Sequence, residues 1–438
     1  MVSREVVAHP EAEDVLRRRS LLLLSVLILL LGLILGWSLS RSGSENDPRA
    51  STEPSTEPTT EPTSEPTTSP GAPPRAEALA APPGPSGLNW PDHTPAYDTP
   101  ATKKIDKLSE LNQALADATA GDVIEVAPQT WSGGDLVVSK GDDGWARNVL
   151  VRPPLGQRQS VVVDVDDRAL VLDAPHVTVA GFQAREINIA ERGDRSAFAR
   201  IVMTDNSFIK ASARGDVGDD HVLEDAGFYE IVAPEVRTDV GEDRMNISTY
   251  GTGEGGEVGE VVGLTVAGLW LEGSYRAHGS DAHTDTLQTF GAAGSPPPRD
   301  LTVLNSVLFA STNAAWQAGD GGVVGTWTIR NSLMVNCQND DAGKVPDGYD
   351  CGGTNTFNTA LDVDPDAKVV IRDTRMYGNV RHPELPFVLQ DVCADNLAGG
   401  AESGPVEDKG GNTLGEQAVA AKCAHVDPKL PDLDAIWE

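Results

Sequence analysis

The stretch from Tyr275 to Gln288, with the sequence YRAHGSDAHTDTLQ, holds the densest group of side chains in the chain that could do chemistry. Histidine suits general acid or base work near neutral pH, and Asp285, two residues from His283, can tune its proton affinity. Gln288 can hydrogen-bond hydroxyl groups of a ligand. A structural interpretation is also open, in which His283 and Asp285 brace the turn by hydrogen-bonding a neighbouring backbone segment.

A degenerate repeat supplies the elements that must position this stretch. Each unit is a β-branched pair, a break of one or two residues and a second apolar run, as in two strands that meet at a tight bend. Six units follow this pattern: VTVAGFQ at 177, IVMTDNSFI at 201, LTVAGLWLEG at 264, LTVLNSVLFAS at 301, WTIRNSLMVN at 327 and VVIRDTRMYGN at 369. Such repetition indicates a solenoid.

Two turn asparagines support this interpretation. Asn305 and Asn331 are 26 residues apart, close to one coil of a parallel β-helix, and stacked asparagines can hydrogen-bond from coil to coil. A β-sandwich could use the same short strands, but it requires no asparagine repeat in register. The wide spacing between 209 and 264 predicts a long loop inserted between coils.

Candidate third strands precede the two-strand units: DTLQTFGAAG at 285, AAWQAGDGG at 314, TALDVDPDA at 359 and FVLQDV at 387. If the central apolar residue of each segment points inward, strand alternation turns its polar neighbour outward. The outward residues then form one polar column, made of Gln288, Gln317 and Asp362.

Ahead of the repeat, Leu108, Leu111 and Leu115 have helical spacing, and GDVIEVAP follows from Gly121. This short helix and strand closely resemble the N-terminal cap and first coil of pectate-lyase-like β-helix proteins. The resemblance implies an all-β fold: a right-handed parallel β-helix with three strands per coil and an N-terminal capping helix. It also implies a substrate groove along the sheet that carries the polar column.

The pattern His283-x-Asp285-x-x-Gln288 resembles one found in uncharacterised bacterial β-helix proteins, at a place where sugar-active relatives bind substrate. The resemblance implies a polysaccharide partner and a cell-surface polysaccharide lyase or glycoside hydrolase. A noncatalytic glycan-binding protein, or a structural envelope protein, is the alternative, because this fold hosts enzymes and binders alike.

The two reactions need different groups. A lyase must neutralise the sugar carboxylate while a base, here Arg276 or His283, removes the adjacent ring proton. A hydrolase needs two carboxyl groups about 5 to 10 Å apart, for which Asp285 and Asp320 are candidates. The catalytic candidates are Arg276, His283 and Asp285, and the substrate-binding candidates are His278, Gln288, Gln317 and Asp320.

The chain is strongly acidic, with 34 Lys and Arg against 66 Asp and Glu and a formal net charge of -32. This charge repels nucleic acid, which we exclude as a partner. It also repels a polyanionic sugar, unless calcium bridges the two or the groove is locally basic. Asp362-x-Asp364-x-Asp366 resembles the opening of a calcium loop, but Ala367 replaces the expected glycine, and the metal ligands stay unassigned.

The N-terminal region predicts a membrane anchor. Residues 21–39 carry no charge, are long enough to span a bilayer and follow three arginines, which places the N-terminus in the cytoplasm. We therefore expect a single-pass protein of the cell membrane with its C-terminal domain outside; a cleaved signal peptide is the alternative. The predicted domains are a tail over 1–20, the anchor over 21–39, a disordered Thr/Glu/Pro-rich stalk over 40–95, the β-helix over 100–392 and a C-terminal cap or tail over 393–438.

Four cysteines lie in the C-terminal quarter and permit three pairings. For an extracytoplasmic domain, we favour the bonds Cys337–Cys351 and Cys393–Cys423, each closing an insertion or the tail. Free buried thiols are the alternative.

Overall fold

In the computed structural model, the described part of the chain begins at residue 83. The described residues are 83–164, 169–215, 222–238, 243–252, 258–280, 284–292, 294–309, 311, 313–318, 324–335, 349–350, 359–362, 367–381, 387–397, 406–421, 423 and 428–437. Successive coils pair strand on strand, in parallel, along three sheets.

Sheet 1 is a continuous ladder of twelve parallel strands. Its strands are Lys103–Ile105, Val123–Val126, Val149–Arg152, Val177–Ala180, Ala197–Ala199, Gly227–Tyr229, Thr265–Ala267, Thr302–Leu304, Gly325–Arg330, Ala367–Arg372, Phe387–Gln390 and Val406–Asp408. The registers Val266↔Val303 and Val303↔Ile329 show how each coil repeats the inward apolar position of the last.

Sheets 2 and 3 share four strands that bend from one sheet into the other: Gln183–Ile189, Val202–Arg214, Arg375–Arg381 and Cys393–Leu397. The other strands of sheet 2 are Gln129–Trp131, Val161–Val163, Val232–Ala233, Trp270–Leu271, Val307–Phe309, Leu333–Val335 and Thr413–Leu414. The other strands of sheet 3 are Leu136–Val138, Leu170–Leu172, Met245–Tyr250, Leu287–Ala292, Ala314–Ala318 and Thr359–Asp362. The predicted all-β parallel β-helix with three strands per coil is confirmed.

Short strands also form at the corners that join the sheets. Val222–Glu224 pairs with Glu260–Val262 between sheets 3 and 1. Val236–Thr238 pairs with Ser274–Ala277 between sheets 2 and 3, and Tyr349–Asp350 adds to this pair in antiparallel fashion.

The N-terminal end is closed by the predicted capping helix. A 3-10 turn, Leu108–Glu110, leads into the helix Leu111–Ala116, and three leucines, Leu108, Leu111 and Leu115, are at most 2% exposed. They join a core cluster that extends through the coils as far as Ala394. Inside it, equivalent side chains stack, as Trp316 does on Trp327 with ring centroids 4.8 Å apart.

Sheets 1 and 2 meet in a one-residue corner with positive φ. The residues that adopt this conformation are Gly181, Arg200, Glu230, Gly268, Asn305, Asn331, Asp373 and Asp391. The predicted asparagine ladder is confirmed, since Asn331 Nδ2 donates to Asn305 Oδ1 at 2.8 Å. Asn305 Nδ2 extends it by donating to Asn89 Oδ1 at 2.7 Å.

Residues 83–101, which we call the strap, run along this corner and are pinned by one buried carboxylate. Glu230 accepts hydrogen bonds from the backbone N–H groups of Ser86, Gly87 and Asn89 at 2.8, 3.0 and 3.0 Å. Trp437 Nε1, from the C-terminal segment, donates to the same carboxylate at 3.0 Å. The predicted stalk boundary at 95 is therefore wrong, because residues 83–95 pack on the β-helix instead of extending from it.

The neighbouring corner residue, Arg200, adds to these contacts. We call the contacts of Glu230 and Arg200 with the strap and the C-terminal segment the clasp. Its guanidinium donates to Trp437 O at 2.9 Å and lies 5.1 and 4.9 Å from the ring centroids of Trp90 and Tyr97. Gly268 must be glycine, because its φ is +70° and a Cβ there would lie 2.4 Å from Asn89 Nδ2.

Two of the predicted strands are placed differently. The unit at 201 does not contain the corner between sheets 1 and 2, because its sheet 1 strand is Ala197–Ala199 and the corner is Arg200. The register irregularity between Met203 and Phe208 falls instead where the strand passes from sheet 2 to sheet 3. The segment at 387 pairs in sheet 1 with Ala367–Arg372, since the strand Arg375–Arg381 already reaches sheet 3.

The long loop predicted between 209 and 264 contains a full coil. Gly227–Tyr229, Val232–Ala233 and Met245–Tyr250 supply its three strands, and Glu230 is its corner residue.

At the C-terminal end, Cys393–Leu397, Val406–Asp408 and Thr413–Leu414 still pair with preceding coils, so the coils continue beyond the predicted boundary at 392. Two helices, Glu416–Ala421 and Leu433–Ile436, follow. The predicted bond between Cys393 and Cys423 is present, with Cα atoms 6.1 Å apart. Cys337 and Cys351 lie outside the described residues.

The predicted tail over 1–20, anchor over 21–39 and stalk up to residue 82 also lie outside the described residues. Within the part of the chain that the structure describes, no helix has the length and apolar character needed to cross a bilayer.

The clasp at Glu230 predicts a stability effect. Replacing Glu230 by Gln in the full chain should lower the free energy of unfolding by about 2–3 kcal/mol, because buried N–H donors lose a charged acceptor. The melting temperature, followed by circular dichroism, measures this loss. Glu224→Gln, at an exposed side chain of the same coil, is the matched control and should change stability by less than about 0.5 kcal/mol. Equal melting temperatures for the two variants would contradict the role of the clasp.

Candidate functional site

Sheet 3 carries a column of polar residues on its outer face, which we call the amide row: Asn188, Lys210, Asn246, Gln288 and Gln317. The register pairs each with the next, from Asn188↔Lys210 to Gln288↔Gln317. Gln317 in turn pairs with Asp362, so the predicted register of Gln288, Gln317 and Asp362 is present, and the row extends further towards the N-terminal cap than expected. Leu287 and Trp316, next to the two glutamines, are fully buried in the core, as predicted.

Two aromatic residues stand on the same face. Tyr250 and Phe290, both half-buried, meet edge to face with ring centroids 5.8 Å apart. The Lys210 ammonium lies 5.8 Å from the centroid of the Tyr250 ring. The face thus combines hydrogen-bonding amides, an ammonium group and aromatic surface, which suits a ligand with both hydroxyl groups and apolar ring faces.

Asp285 lies directly beneath the row and is fully buried. Its Oδ1 accepts hydrogen bonds from Ala314 N and Asn313 Nδ2, both at 2.9 Å, and both donors belong to the next coil. With its amide nitrogen turned towards Asp285, Gln317 donates to Oδ2 at 2.8 Å, whereas the opposite orientation would bring acceptor oxygens together. These contacts correspond to the bracing interpretation of Asp285, and the Gln317 amide also contacts Asn313 Nδ2 at 2.5 Å.

A buried arginine, Arg244, also contacts the backbone next to Asp285. Arg244 donates its backbone N–H to Asp285 O at 2.9 Å, and its guanidinium donates to Ser207 O and Pro234 O, both at 2.5 Å. Because the guanidinium is buried, the pKa of Arg244 falls to about 10. It remains charged near neutral pH and ties the corner between sheets 2 and 3 to the strand that carries Asn246.

Arg276 and His278 lie in the corner between sheets 2 and 3, on and just after the strand Ser274–Ala277. Arg276 is half-buried and His278 is exposed. Burial raises the pKa of the neighbouring Tyr275, and the carboxylates of Glu235 and Glu272 raise it further, so this phenol stays protonated. The surroundings of Tyr275 are therefore negative.

The other predicted site residues lie outside the described residues. These are His283 and Asp320, so their distances to Asp285 and Gln317 are not defined. The catalytic roles of Arg276, His283 and Asp285 stay predictions.

The sequence predicts calcium only from the acidic charge of the chain and from the likeness of Asp362-x-Asp364-x-Asp366 to a calcium loop. Among the described residues, no three His, Cys, Asp or Glu side chains are grouped so that they could hold a metal ion. Asp364 and Asp366 lie outside the described residues, so the candidate loop that begins at Asp362 is not tested.

Sequence reasoning missed Lys210, Asn246, Tyr250 and Phe290. The alternation in MNISTY, Met245–Tyr250, gave a signal for Asn246, because its apolar partners are two residues apart. Lys210 had none, since the register of its long strand depends on an irregularity between Met203 and Phe208.

The strap and the C-terminal segment cover outer residues of sheets 1 and 2, and this distinguishes these sheets from sheet 3. The strap residue Tyr97 packs on outer residues of sheet 1, among them Val123 and Leu150. Ala418 and Trp437, from the C-terminal segment, pack on the outer apolar residues of sheet 2. The described coverings thus lie on sheets 1 and 2.

Comparisons with known proteins give remote likenesses only. No family model matches the chain, and no curated protein matches it. The structure of pectate lyase Pel9A is 13% identical, covers 73% of this chain and 82% of its own, and has a TM-score of 0.30. The catalytic domain of a GH87 alpha-1,3-glucanase in complex with nigerose is 14% identical, covers 76% of this chain and 70% of its own, and has a TM-score of 0.19. The chain's own strand pairing makes it a parallel β-helix, and these likenesses carry no argument about its activity.

Proposed function

We propose that the protein acts on an anionic polysaccharide that lies along the outer face of sheet 3. The observation that carries this proposal is the amide row, in which Lys210, Asn246, Gln288 and Gln317 stand in one register with Tyr250 and Phe290 beside them. Amides suit sugar hydroxyls, and aromatic rings suit the apolar faces of sugars.

The spacing of the row suits a polymer. Neighbouring strands of a sheet lie about 4.8 Å apart, so five row positions extend over roughly 20 Å. A linear glycan that runs along the coils can place about one sugar ring over each coil, and the same type of contact is then repeated. A single small molecule would use only one or two of these positions.

The cation in the row favours a lyase over a hydrolase. Lys210 places an ammonium group on the face of a protein whose net charge is -32, and it can neutralise the carboxylate of an acidic sugar. In β-elimination, a base removes the proton on the carbon next to this carboxylate, and the electron pair forms a carbon–carbon double bond. The glycosidic oxygen then leaves and takes up a proton. Arg276 and His283 are our candidates for the base.

Noncatalytic glycan binding is the second candidate function. The observation that favours it is the engagement of Asp285, whose carboxylate is buried and satisfied by Ala314 N, Asn313 and Gln317. A carboxylate held in this way is poorly placed to exchange protons with a sugar.

We also propose that the β-helix works outside the cell, held by an uncleaved anchor at 21–39. The apolar run and the three preceding arginines support this location. A bonded pair, Cys393 and Cys423, is in keeping with an oxidising compartment.

An activity assay decides between the two functions. The full chain is incubated with uronate-containing and neutral polysaccharides, with and without calcium, while ultraviolet absorbance and reducing ends are followed together. We expect both signals to rise with a uronate-containing polymer. Reducing ends without absorbance would indicate a hydrolase, and binding without either signal would indicate the noncatalytic protein. Absence of binding to every polysaccharide would refute the proposal.

Replacing Gln288 by Ala tests the amide row. Its half-exposed side chain contacts Asn246 at 3.4 Å, so we expect an unchanged melting temperature but about tenfold weaker glycan binding, equal to the loss of about 1.4 kcal/mol. Affinity electrophoresis measures the binding. Gln157→Ala, at an exposed position away from sheet 3, is the control. Wild-type affinity in Gln288→Ala would contradict the placement of the glycan.

Replacing Asp285 by Ala separates its two possible roles. Because Ala314 N and Asn313 would lose a buried charged acceptor, we expect the free energy of unfolding to fall by about 2–3 kcal/mol. The melting temperature measures the loss, and Asp106→Ala, at an exposed residue, is the control. An unchanged melting temperature together with abolished turnover would instead make Asp285 catalytic.

A further inference from the structure

The amide row is not uniform in charge. Lys210 is its one cation, and Asn246, Gln288 and Gln317 on the next three coils are neutral. Among the described residues, Lys210 forms no ion pair, and its ammonium group lies 5.8 Å from the ring centroid of Tyr250. A second cation, Arg214, is four residues along the same strand, so it belongs to the coil of Lys210 and not to the three amide coils.

The hydrogen-bonding atoms of the row also differ from coil to coil. Gln288 uses its Oε1 to accept from Asn246 Nδ2, which leaves its amide N–H groups for a ligand. Gln317 turns its nitrogen towards Asp285, so its oxygen is the atom available to a ligand. The row therefore offers acceptors as well as donors.

We propose that the sheet 3 face selects a glycan in which one acidic sugar, seated at Lys210, is followed by neutral sugars over the amide coils. This inference rests on the proposed function. The preferred substrate is then a heteropolysaccharide of acidic and neutral sugars, and a polymer in which every sugar is acidic binds less well.

The reason lies in what a carboxylate can do. An ionised carboxylate only accepts hydrogen bonds, whereas a hydroxyl group both donates and accepts. Hydroxyl groups can hydrogen-bond with Gln317 Oε1 as well as with the Gln288 N–H groups. A carboxylate facing Gln317 would instead place its oxygens, which only accept hydrogen bonds, next to Gln317 Oε1, which also only accepts them. It would also approach the buried carboxylate of Asp285, 2.8 Å behind the Gln317 nitrogen, which repels a second negative charge.

The Gln317 end of the row adds to this effect, because the buried Asp285 carboxylate lies behind Gln317. A polyuronate laid over all five coils would gain one favourable contact at Lys210 and meet unfavourable electrostatics at the other end. One acidic ring at the Lys210 end gives the favourable contact without this cost.

Binding by the full chain to three matched oligosaccharides tests the inference. The probes are oligosaccharides with one glucuronic acid flanked by neutral hexoses, the same oligosaccharides after reduction of the carboxyl group, and homo-oligouronates of equal length. By isothermal titration calorimetry, we expect the first to bind about three- to tenfold more tightly than either of the others, as one partly exposed ion pair allows.

Two variants identify the residues responsible. Lys210→Gln should abolish the preference for the acidic probe over its carboxyl-reduced form while leaving the melting temperature unchanged, and Lys140→Gln, at an exposed lysine, should keep the preference. Gln317→Lys should raise the affinity for homo-oligouronates. Tightest binding of homo-oligouronates, or of the carboxyl-reduced probe, by the wild-type chain would overturn the inference and leave the proposed function standing. Failure of the chain to bind any polysaccharide of the activity panel would remove both.

Discussion

A one-residue corner between sheets 1 and 2 is the constraint on which the rest of the structure depends. On eight successive coils, from Gly181 to Asp391, one residue takes a positive φ, and its N–H bonds to the carbonyl of the residue before the corner on the next coil, as Glu230 N does to Ala267 O at 2.8 Å. Because the corner keeps the same length on these coils, both sheets stay in register. A residue with a Cβ atom loses roughly 1–2 kcal/mol of folding free energy when its backbone adopts this left-handed conformation. Glycine, asparagine and aspartate tolerate it best, and they recur at this corner.

Arg200 and Glu230 are exceptions at this corner, and their side chains explain the departure. Each charged side chain offsets the backbone cost with hydrogen bonds to neutral backbone or indole groups, and these bonds hold the strap and the C-terminal segment against the coils. The two chain ends then cover outer apolar residues of sheets 1 and 2. In this way the corner chemistry of two coils determines which sheet carries the candidate site.

Local patterns in the sequence predicted much of this fold. The asparagine pair and the alternation around Gln288 and Gln317 were enough to place the ladder and the polar column. The coil at Gly227–Tyr229 was missed because its corner residue, Glu230, is not a typical turn former. Residues 83–95 were assigned to the stalk because they are held by residues far away in the sequence, such as Glu230, which is 144 residues from Ser86, and no local pattern reveals such contacts. Asp285 posed a different problem, since the same residue types serve a catalytic site and a brace.

The net charge of -32 says less about the ligand than it first suggests. Many aspartates are used by the fold itself: Asp373 and Asp391 stand at the corner between sheets 1 and 2, and Asp225 and Asp300 hold positive φ at the corner that leads into sheet 1. Asp300 Oδ1 also accepts from Thr326 N at 2.8 Å on the next coil. Since these carboxylates brace corners, their number grows with the number of coils. Ligand preference is then set locally, by the few residues of the amide row, where an ammonium group and neutral amides replace the carboxylates that dominate the rest of the chain.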